Sequence, residues 1–206
     1  MTTDRCVFAP LGASNHTREE RQPEDLYVTD PRAVEALLAV EGFDHRIWEP
    51  CVGLGHISGV LEKHGHEVRK SDIIDRIGNE ELDFLSCAEE WDGDIVTNPP
   101  YKYAQRFVEK ALECVSEGRK VAMLLKLTFL EGQERRKLFE RTPPSRVWVF
   151  SKRVSCAKNG DFERYGNGAV CYAWFVWEKA GSNGTNRPDK PNEADAPRVR
   201  TEVRWL

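Results

Sequence analysis

Arg46-Ile47-Trp48-Glu49-Pro50-Cys51-Val52-Gly53-Leu54-Gly55 is the stretch that decides the fold. Arg46 to Pro50 reads as a short strand, the two glycines make a tight turn, and His56-Ile57-Ser58-Gly59-Val60-Leu61-Glu62-Lys63-His64-Gly65 reads as a helix. A strand that turns through glycine into a helix opens a β-α unit, and open α/β sheets bind their ligands at the carboxyl ends of such strands. Working outward, Pro31 to Phe43 gives an amphipathic helix with Val34, Leu37, Leu38 and Phe43 on one face, Asp30 as N-cap and Pro31 at its first position. His66 to Ile74 predicts a second strand and Leu82-Asp83-Phe84 a brief third. Asp94 to Pro100 predicts a fourth, Tyr103 to Gly118 a helix, Arg119 to Leu127 an apolar fifth strand, and Gln133 to Thr142 a further helix. Ser145 to Ser151 and the aromatic Gly168 to Lys179 complete the strands, predicting an antiparallel pair at one edge. This alternation implies a mostly parallel sheet with helices on both faces.

The body of this α/β domain spans 27–179. Residues 1–26 are polar and aperiodic and read as an arm, 180–198 as a flexible linker rich in Gly, Pro, Asn and Asp, and 199–206 as a tail or small returning strand.

The glycine turn selects among ligands. Dinucleotide sites use G-x-G-x-x-G, with a helix N-terminus facing pyrophosphate; here Ser58 stands at the third glycine position and acidic Glu49 precedes the turn. A carboxylate there repels pyrophosphate and attracts an ammonium group, which favours S-adenosylmethionine, whose aminoacyl end is a zwitterion beside a sulfonium. The turn residues Glu49, Pro50, Cys51, Gly53 and Gly55 are the candidate cofactor contacts. Asp72, at the expected tip of the second strand about 20 residues on, can accept from both ribose hydroxyls; Asp75 is a rival for that role. Asp83 can accept from the adenine amino group, with Phe84 against the ring.

Asp94-Ile95-Val96-Thr97-Asn98-Pro99-Pro100-Tyr101 carries the chemistry. Two prolines fix φ and remove N–H donors, so the turn is stiff and presents acceptors: the Asn98 side-chain oxygen and the Pro99 carbonyl. Two acceptors around one planar amine favour a pyramidal nitrogen and free its lone pair. The sulfonium is already electrophilic, so orientation and electrostatics suffice without a strong base. Tyr101 can stack on the base, worth about 1–3 kcal/mol. Asn98, Pro99, Pro100 and Tyr101 are therefore the candidate catalytic residues.

In this order, the Glu-Pro-x-x-Gly-x-Gly turn, Asp72, Asp83-Phe84 and Asn98-Pro99-Pro100-Tyr101 resemble the amino-methyltransferases that act on adenine in DNA. More narrowly, the chain resembles the short stand-alone adenine-N6 methyltransferases of phages and prophages. Gly12 to His16, Tyr27 to Pro31, Lys126 to Gly132 and Tyr172 to Glu178 look like that group, and the resemblance covers nearly the whole chain except 180–198. It implies a Rossmann-like class I methyltransferase fold with seven strands in the order 3-2-1-4-5-7-6. It also implies cofactor contacts from Tyr27, Thr29, Glu49, Gly53, Asp72, Asp83 and Phe84. Val52 departs from the small residue that relatives often carry in the glycine turn, a change expected to alter packing rather than binding. DNA is the expected partner, with RNA adenine, a protein glutamine amide and a catalytically silent accessory protein as alternatives. A dehydrogenase is disfavoured by the missing third glycine.

Net charge of −4 gives no global affinity for nucleic acid, so phosphate contacts must be local. Basic clusters lie at Arg135-Arg136-Lys137 and at Lys152-Arg153 with Lys158. The loop from Lys152 to Tyr165 also carries Phe162, the expected second wall of a flipped-base pocket. Lys126, Lys152, Arg153, Lys158 and Phe162 are the candidate substrate contacts. With so little chain beyond the catalytic body, sequence preference is expected to be short or loose. The six cysteines show no C-x-x-C pair and no histidines at zinc-ligand spacing, so no metal is expected. No apolar leader or membrane-length segment is legible, which points to reduced thiols in a cytoplasm.

Overall fold

A computed structural model describes residues 27–152, 154, 156–158, 170–180 and 200–206. The expected arm at 1–26, Arg153, Phe162 and all of the 180–198 linker beyond Ala180 lie outside the described residues. In chain order the elements are β1 (Tyr27–Thr29), α1 (Pro31–Leu38), β2 (Arg46–Glu49), α2 (His56–Lys63), β3 (Glu67–Asp72) and β4 (Glu80–Glu81). β5 (Asp94–Thr97), α3 (Ala104–Cys114), β6 (Lys120–Lys126), α4 (Gln133–Arg141), β7 (Arg146–Val149), β8 (Cys156–Lys158), β9 (Tyr172–Glu178) and β10 (Glu202–Trp205) follow.

Eight strands form the main sheet in the order β10-β7-β9-β6-β5-β2-β3-β4. Without β10, and read from the β4 edge, this is the 3-2-1-4-5-7-6 order expected from the resemblance. The tail adds the eighth strand: β10 pairs parallel to β7 from Glu202↔Arg146 to Trp205↔Val149, covering an edge that seven strands would leave open. β9 runs antiparallel between β6 and β7, so the antiparallel pair sits one strand in from that edge. The third strand is at Glu80–Glu81, earlier than the expected Leu82-Asp83-Phe84. Asp83 instead caps a 3-10 turn over Phe84–Ser86 by accepting from Leu85 N–H at 3.0 Å. A separate two-stranded piece pairs β1 with β8, Tyr27↔Lys158 to Thr29↔Cys156.

Both faces of the sheet are buried, which explains its apolar strands. Val121, Met123 and Leu125 of β6 and Phe175 and Trp177 of β9 pack with Phe107, Val108 and Ala111 of α3. The alternate residues Ala122, Leu124, Trp174 and Val176 pack with Val34 and Leu37 of α1 and Val60 and Leu61 of α2. Buried tryptophans keep their indole N–H groups bonded: Trp48 to Ser71 Oγ at 2.8 Å and Trp174 to the Ala33 carbonyl at 2.8 Å. Asp30 caps α1 as expected, accepting from Arg32 N–H at 2.9 Å. Among the described residues no helix is long and apolar enough to cross a membrane.

Candidate active site

The carboxyl ends of β2, β3 and β5 frame a cleft of about 730 Å³, counted with its open mouth. Its walls include Thr29, Glu49, Pro50, Cys51, Gly53, Asp72, Phe84, Asn98 and Pro100, each singled out from the sequence. The glycine turn and the diproline corner therefore face one space. Gly55, Asp83, Pro99 and Tyr101 are not among the described residues that line it, and for Tyr27 only the strand position in β1 is described.

The turn after β2 needs glycine. Gly53 and Gly55 have φ of 52° and 76°, in the left-handed region, and a Cβ on Gly55 would come within 3.0 Å of Ile77 Cδ1. The turn is tied to β3 by Val52 N–H, which donates to the Ser71 carbonyl at 3.0 Å, and by Gly53 N–H, which donates to Asp72 Oδ2 at 3.0 Å. The other Asp72 oxygen accepts from Arg76 Nη1 at 3.3 Å. Asp75, the sequence rival of Asp72, is committed to its own loop, accepting from Gly78 and Asn79 N–H. Asp83 is exposed and spends an oxygen on its cap.

Glu49 is 1% exposed and accepts from Ser58 N–H at 2.8 Å. Burial pushes its carboxyl well above the ordinary carboxylate range; the Ser58 bonds pull the other way, and the Asp72 charge adds to the rise. Among the described residues it has no salt-bridge partner. Burial also pushes the Cys51 thiol well up, with Asp72, Glu49 and Asp83 reinforcing the shift, so Cys51 is a neutral wall rather than a nucleophile. His56, which sequence reading did not single out, lines the same wall, and burial lowers its imidazole toward the neutral form.

At the diproline corner, Asn98 Nδ2 donates to Thr29 Oγ1 at 3.0 Å. Thr29 thus holds the amide by its nitrogen end, directing the oxygen end away from Thr29. Pro100 caps a 3-10 turn over Tyr101–Tyr103, its carbonyl accepting from Tyr103 N–H at 2.9 Å. Tyr101 packs against Tyr172, ring centroids 5.8 Å apart, and the Lys126 ammonium lies 4.7 Å from the Tyr101 centroid. Tyr172, which falls within the resemblance, was given no site role from the sequence, and Arg76, Ile73 and Phe107 are further cleft residues it did not flag. Lys152 is exposed beyond β7; for Lys158 only the strand position in β8 is described.

No protein-family model matches the chain, and no curated protein matches it. Solved structures do. A protein from Listeria monocytogenes assigned as a class I S-adenosylmethionine-dependent methyltransferase superposes with a TM-score of 0.58 at 12% identity, over 91% of this chain and 68% of that one. The methyltransferase subunit of a type I restriction-modification system from Streptococcus thermophilus gives 0.54 at 12% identity, over 79% of this chain and 50% of that one. Atu636 from Agrobacterium tumefaciens, assigned as an O-methyltransferase, gives 0.53 at 11% identity, over 85% and 84%. The chain spans half the length of the restriction-modification subunit. The fold is therefore the Rossmann-like fold of class I methyltransferases. Likeness at this identity fixes the fold and leaves the substrate to the site, since the three matches differ in what they are assigned to do.

Proposed function

We propose that this chain transfers a methyl group from S-adenosylmethionine to the N6 amino group of adenine in DNA, with a short or loose sequence preference. One observation carries the reading: Asn98 and Pro100 of the diproline corner share a single cleft with Glu49, Gly53 and Asp72. A donor bound along the glycine turn and an amine held at the corner can then meet.

The residues present fit the cofactor. Glu49 is a buried carboxyl without a salt-bridge partner among the described residues, suited to an ammonium group. Asp72 offers a carboxylate at the tip of β3 for ribose hydroxyls, and Ile73 offers apolar surface for a base, while Phe84, 1% exposed, backs the cleft from the core between Trp48 and Phe107. Cys51 and His56 are held neutral, so neither repels a cation. When bound, S-adenosylmethionine supplies a methyl carbon activated by its positive sulfur. Asn98 Oδ1 and the Pro99 carbonyl accept the two hydrogens of the target amine, Thr29 fixes the Asn98 amide, and Tyr101 stacks on the base. In a duplex the base must first leave the helix, at a few kcal/mol.

The test is to supply methyl-labelled cofactor with plasmid DNA, ribosomal RNA and cell protein in separate reactions and identify the labelled product. N6-methyladenine in DNA is the expected result. Label in RNA adenine alone, or on glutamine, overturns the substrate; no transfer to any of the three points to a silent accessory protein.

A further inference from the structure

The two lysines at the ends of β6 have different surroundings. Lys120, at the start of β6, meets Glu41 at 3.1 Å and Glu178 at 3.8 Å. Lys126, at the end of the same strand, is half-buried, and among the described residues no carboxylate lies within 4.0 Å of its ammonium. Its one described partner is the face of Tyr101. Tyr172, directly opposite Lys126 in the β6–β9 register, packs against the same ring at a tilt of 34°. Lys102, in the 3-10 turn after the diproline corner, repeats the pattern: its ammonium is 5.1 Å from the Tyr103 ring, again without a carboxylate among the described residues.

A ring face attracts an ammonium but offers little to its three N–H donors. Exposed Lys102 and half-buried Lys126 sit beside one aromatic corner, neither matched by an acid among the described residues, and make a locally positive rim on a protein whose net charge is −4. Such a rim is completed by an anion, and the anion that travels with a stacked base is its own phosphodiester. We infer that Lys126 is the phosphate anchor of the target nucleotide: its ammonium holds a phosphate next to the base that stacks on Tyr101. The site accordingly takes adenine on a phosphodiester chain and turns over free adenosine, or an uncharged peptide amide, poorly. The inference rests on the reading of the diproline corner given above and names the substrate class that corner serves.

The experiment uses the whole chain and a short single-stranded DNA containing one adenine. Methyl transfer is followed across a salt series for the wild type, Lys126→Arg and Lys126→Gln, with cofactor binding and thermal melting as checks of folding. Lys126→Gln should raise KM roughly tenfold with little change in kcat, and should flatten the slope of log(kcat/KM) against log salt by about 0.7, one single-strand phosphate contact. Lys126→Arg should keep both. Replacing the phosphates beside the adenine by neutral methylphosphonates should cost the wild type the same factor and Lys126→Gln almost nothing. A fall in kcat with KM and salt slope unchanged would overturn the anchor, because Lys126 would then only orient Tyr101; so would no change in any parameter. Should Lys126→Gln not fold, the methylphosphonate series on the wild type decides alone, and an undiminished rate overturns the anchor. If the wild type methylates no adenine at all, the proposed function fails as well, a result separable because it needs no variant.

Discussion

At the amino ends of the parallel strands, charge meets charge. Arg119 bridges Asp92 at 2.6 Å and also pairs with Asp44. Arg146 joins Glu41 and Glu178. Glu41 also accepts from Lys120 at 3.1 Å and Trp148 Nε1 at 2.8 Å. Asp94 accepts from the backbone N–H groups of Lys120 and Asp44 at 2.7 and 2.6 Å. At the carboxyl ends fewer groups are matched: Asp72 meets Arg76 at 3.3 Å, but among the described residues Glu49 has no salt-bridge partner, and Lys102 and Lys126 rest on rings with no acid beside them. Buried charges are tolerated where partners surround them. Where a buried group lacks a partner within the protein, a bound ligand can supply one. One rim of the sheet therefore ties strands together, and the other holds the groups that the proposed cofactor and substrate would meet.

The sharpest way to separate the two rims is Asn98→Ala. Cutting one of the two acceptors at the corner should lower turnover by about 10²–10³-fold, the range for losing a preorganised hydrogen-bonding group at a reacting centre. Cofactor affinity, measured by calorimetry, and unfolding midpoint should stay near the wild type. If cofactor affinity falls in step with turnover, Asn98 belongs to the cofactor side of the cleft and the assignment of the corner is wrong.

The opposite rim should show the opposite profile. Glu41→Gln leaves Arg146 and Lys120 facing a neutral amide, at a cost of about 2 kcal/mol in unfolding free energy. Its kcat per folded molecule should not change. The pH dependence carries a sign. Although burial pulls it upward, hydrogen bonds from Arg146, Trp148 and Lys120 hold the Glu41 carboxyl below its ordinary value. Its contribution is thus present at neutral pH and lost as pH falls through the lowered value. Urea titrations of both proteins should converge as the buffer becomes acidic; a constant gap down to full protonation would remove Glu41 from the account.

How much of this contrast could be read from the sequence depends on the length of the signal. The glycine turn, the diproline corner and the apolar strands each occupy several consecutive residues, and the sheet order and common cleft follow from β-α alternation. The third strand was misplaced because Leu82-Asp83-Phe84 alternates like a strand, whereas Asp83 turns back to cap its own 3-10 turn. Val203 and Trp205 alternate as a strand should, but their partner β7 lies more than fifty residues earlier, and no local pattern names it. β1 and β8 are three residues each, too short for any periodicity. Tyr172 falls within the resemblance but was given no site role, because its place beside Tyr101 comes from the antiparallel register of β9, a long-range fact. The ion pairs at the amino rim have the same origin: Glu41 and Arg146 are 105 positions apart.

Glu49→Gln tests the carboxyl rim through its electrostatics. A carboxyl pushed up by burial holds its proton to higher pH than an ordinary one, and a bound ammonium favours its ionised form, so binding is coupled to proton release. Wild-type affinity for S-adenosylmethionine should therefore rise with pH as Glu49 ionises, from the ordinary carboxylate value of about 4.3 upward. In Glu49→Gln that rise should vanish, with affinity about tenfold weaker at neutral pH, one hydrogen bond to a charged group. Folding stability should move the other way. A raised acid costs stability as pH rises toward its folded value, so Glu49→Gln should lose that penalty, where Glu41→Gln loses a benefit. Proton release is read by calorimetry in two buffers of different ionisation enthalpy. Equal apparent enthalpies in the wild type would sink the argument.

The smallest expected effect falls on Thr29, which touches the corner without supplying an acceptor to the amine. Its hydroxyl receives the Asn98 amide N–H, is 3% exposed, and belongs to β1, which β8 holds in place. Thr29→Val keeps the shape and removes the acceptor. The amide is then left with a lost bond of about 1 kcal/mol and can rotate its nitrogen end toward the substrate amine, where a donor faces a donor. A roughly fivefold fall in kcat with KM unchanged is the expected split, since the damage is to orientation rather than binding. Thr29→Ser restores the hydroxyl and should restore the rate. If Thr29→Ser is as slow as Thr29→Val, the methyl group matters and the hydroxyl does not, and the corner is positioned by packing alone.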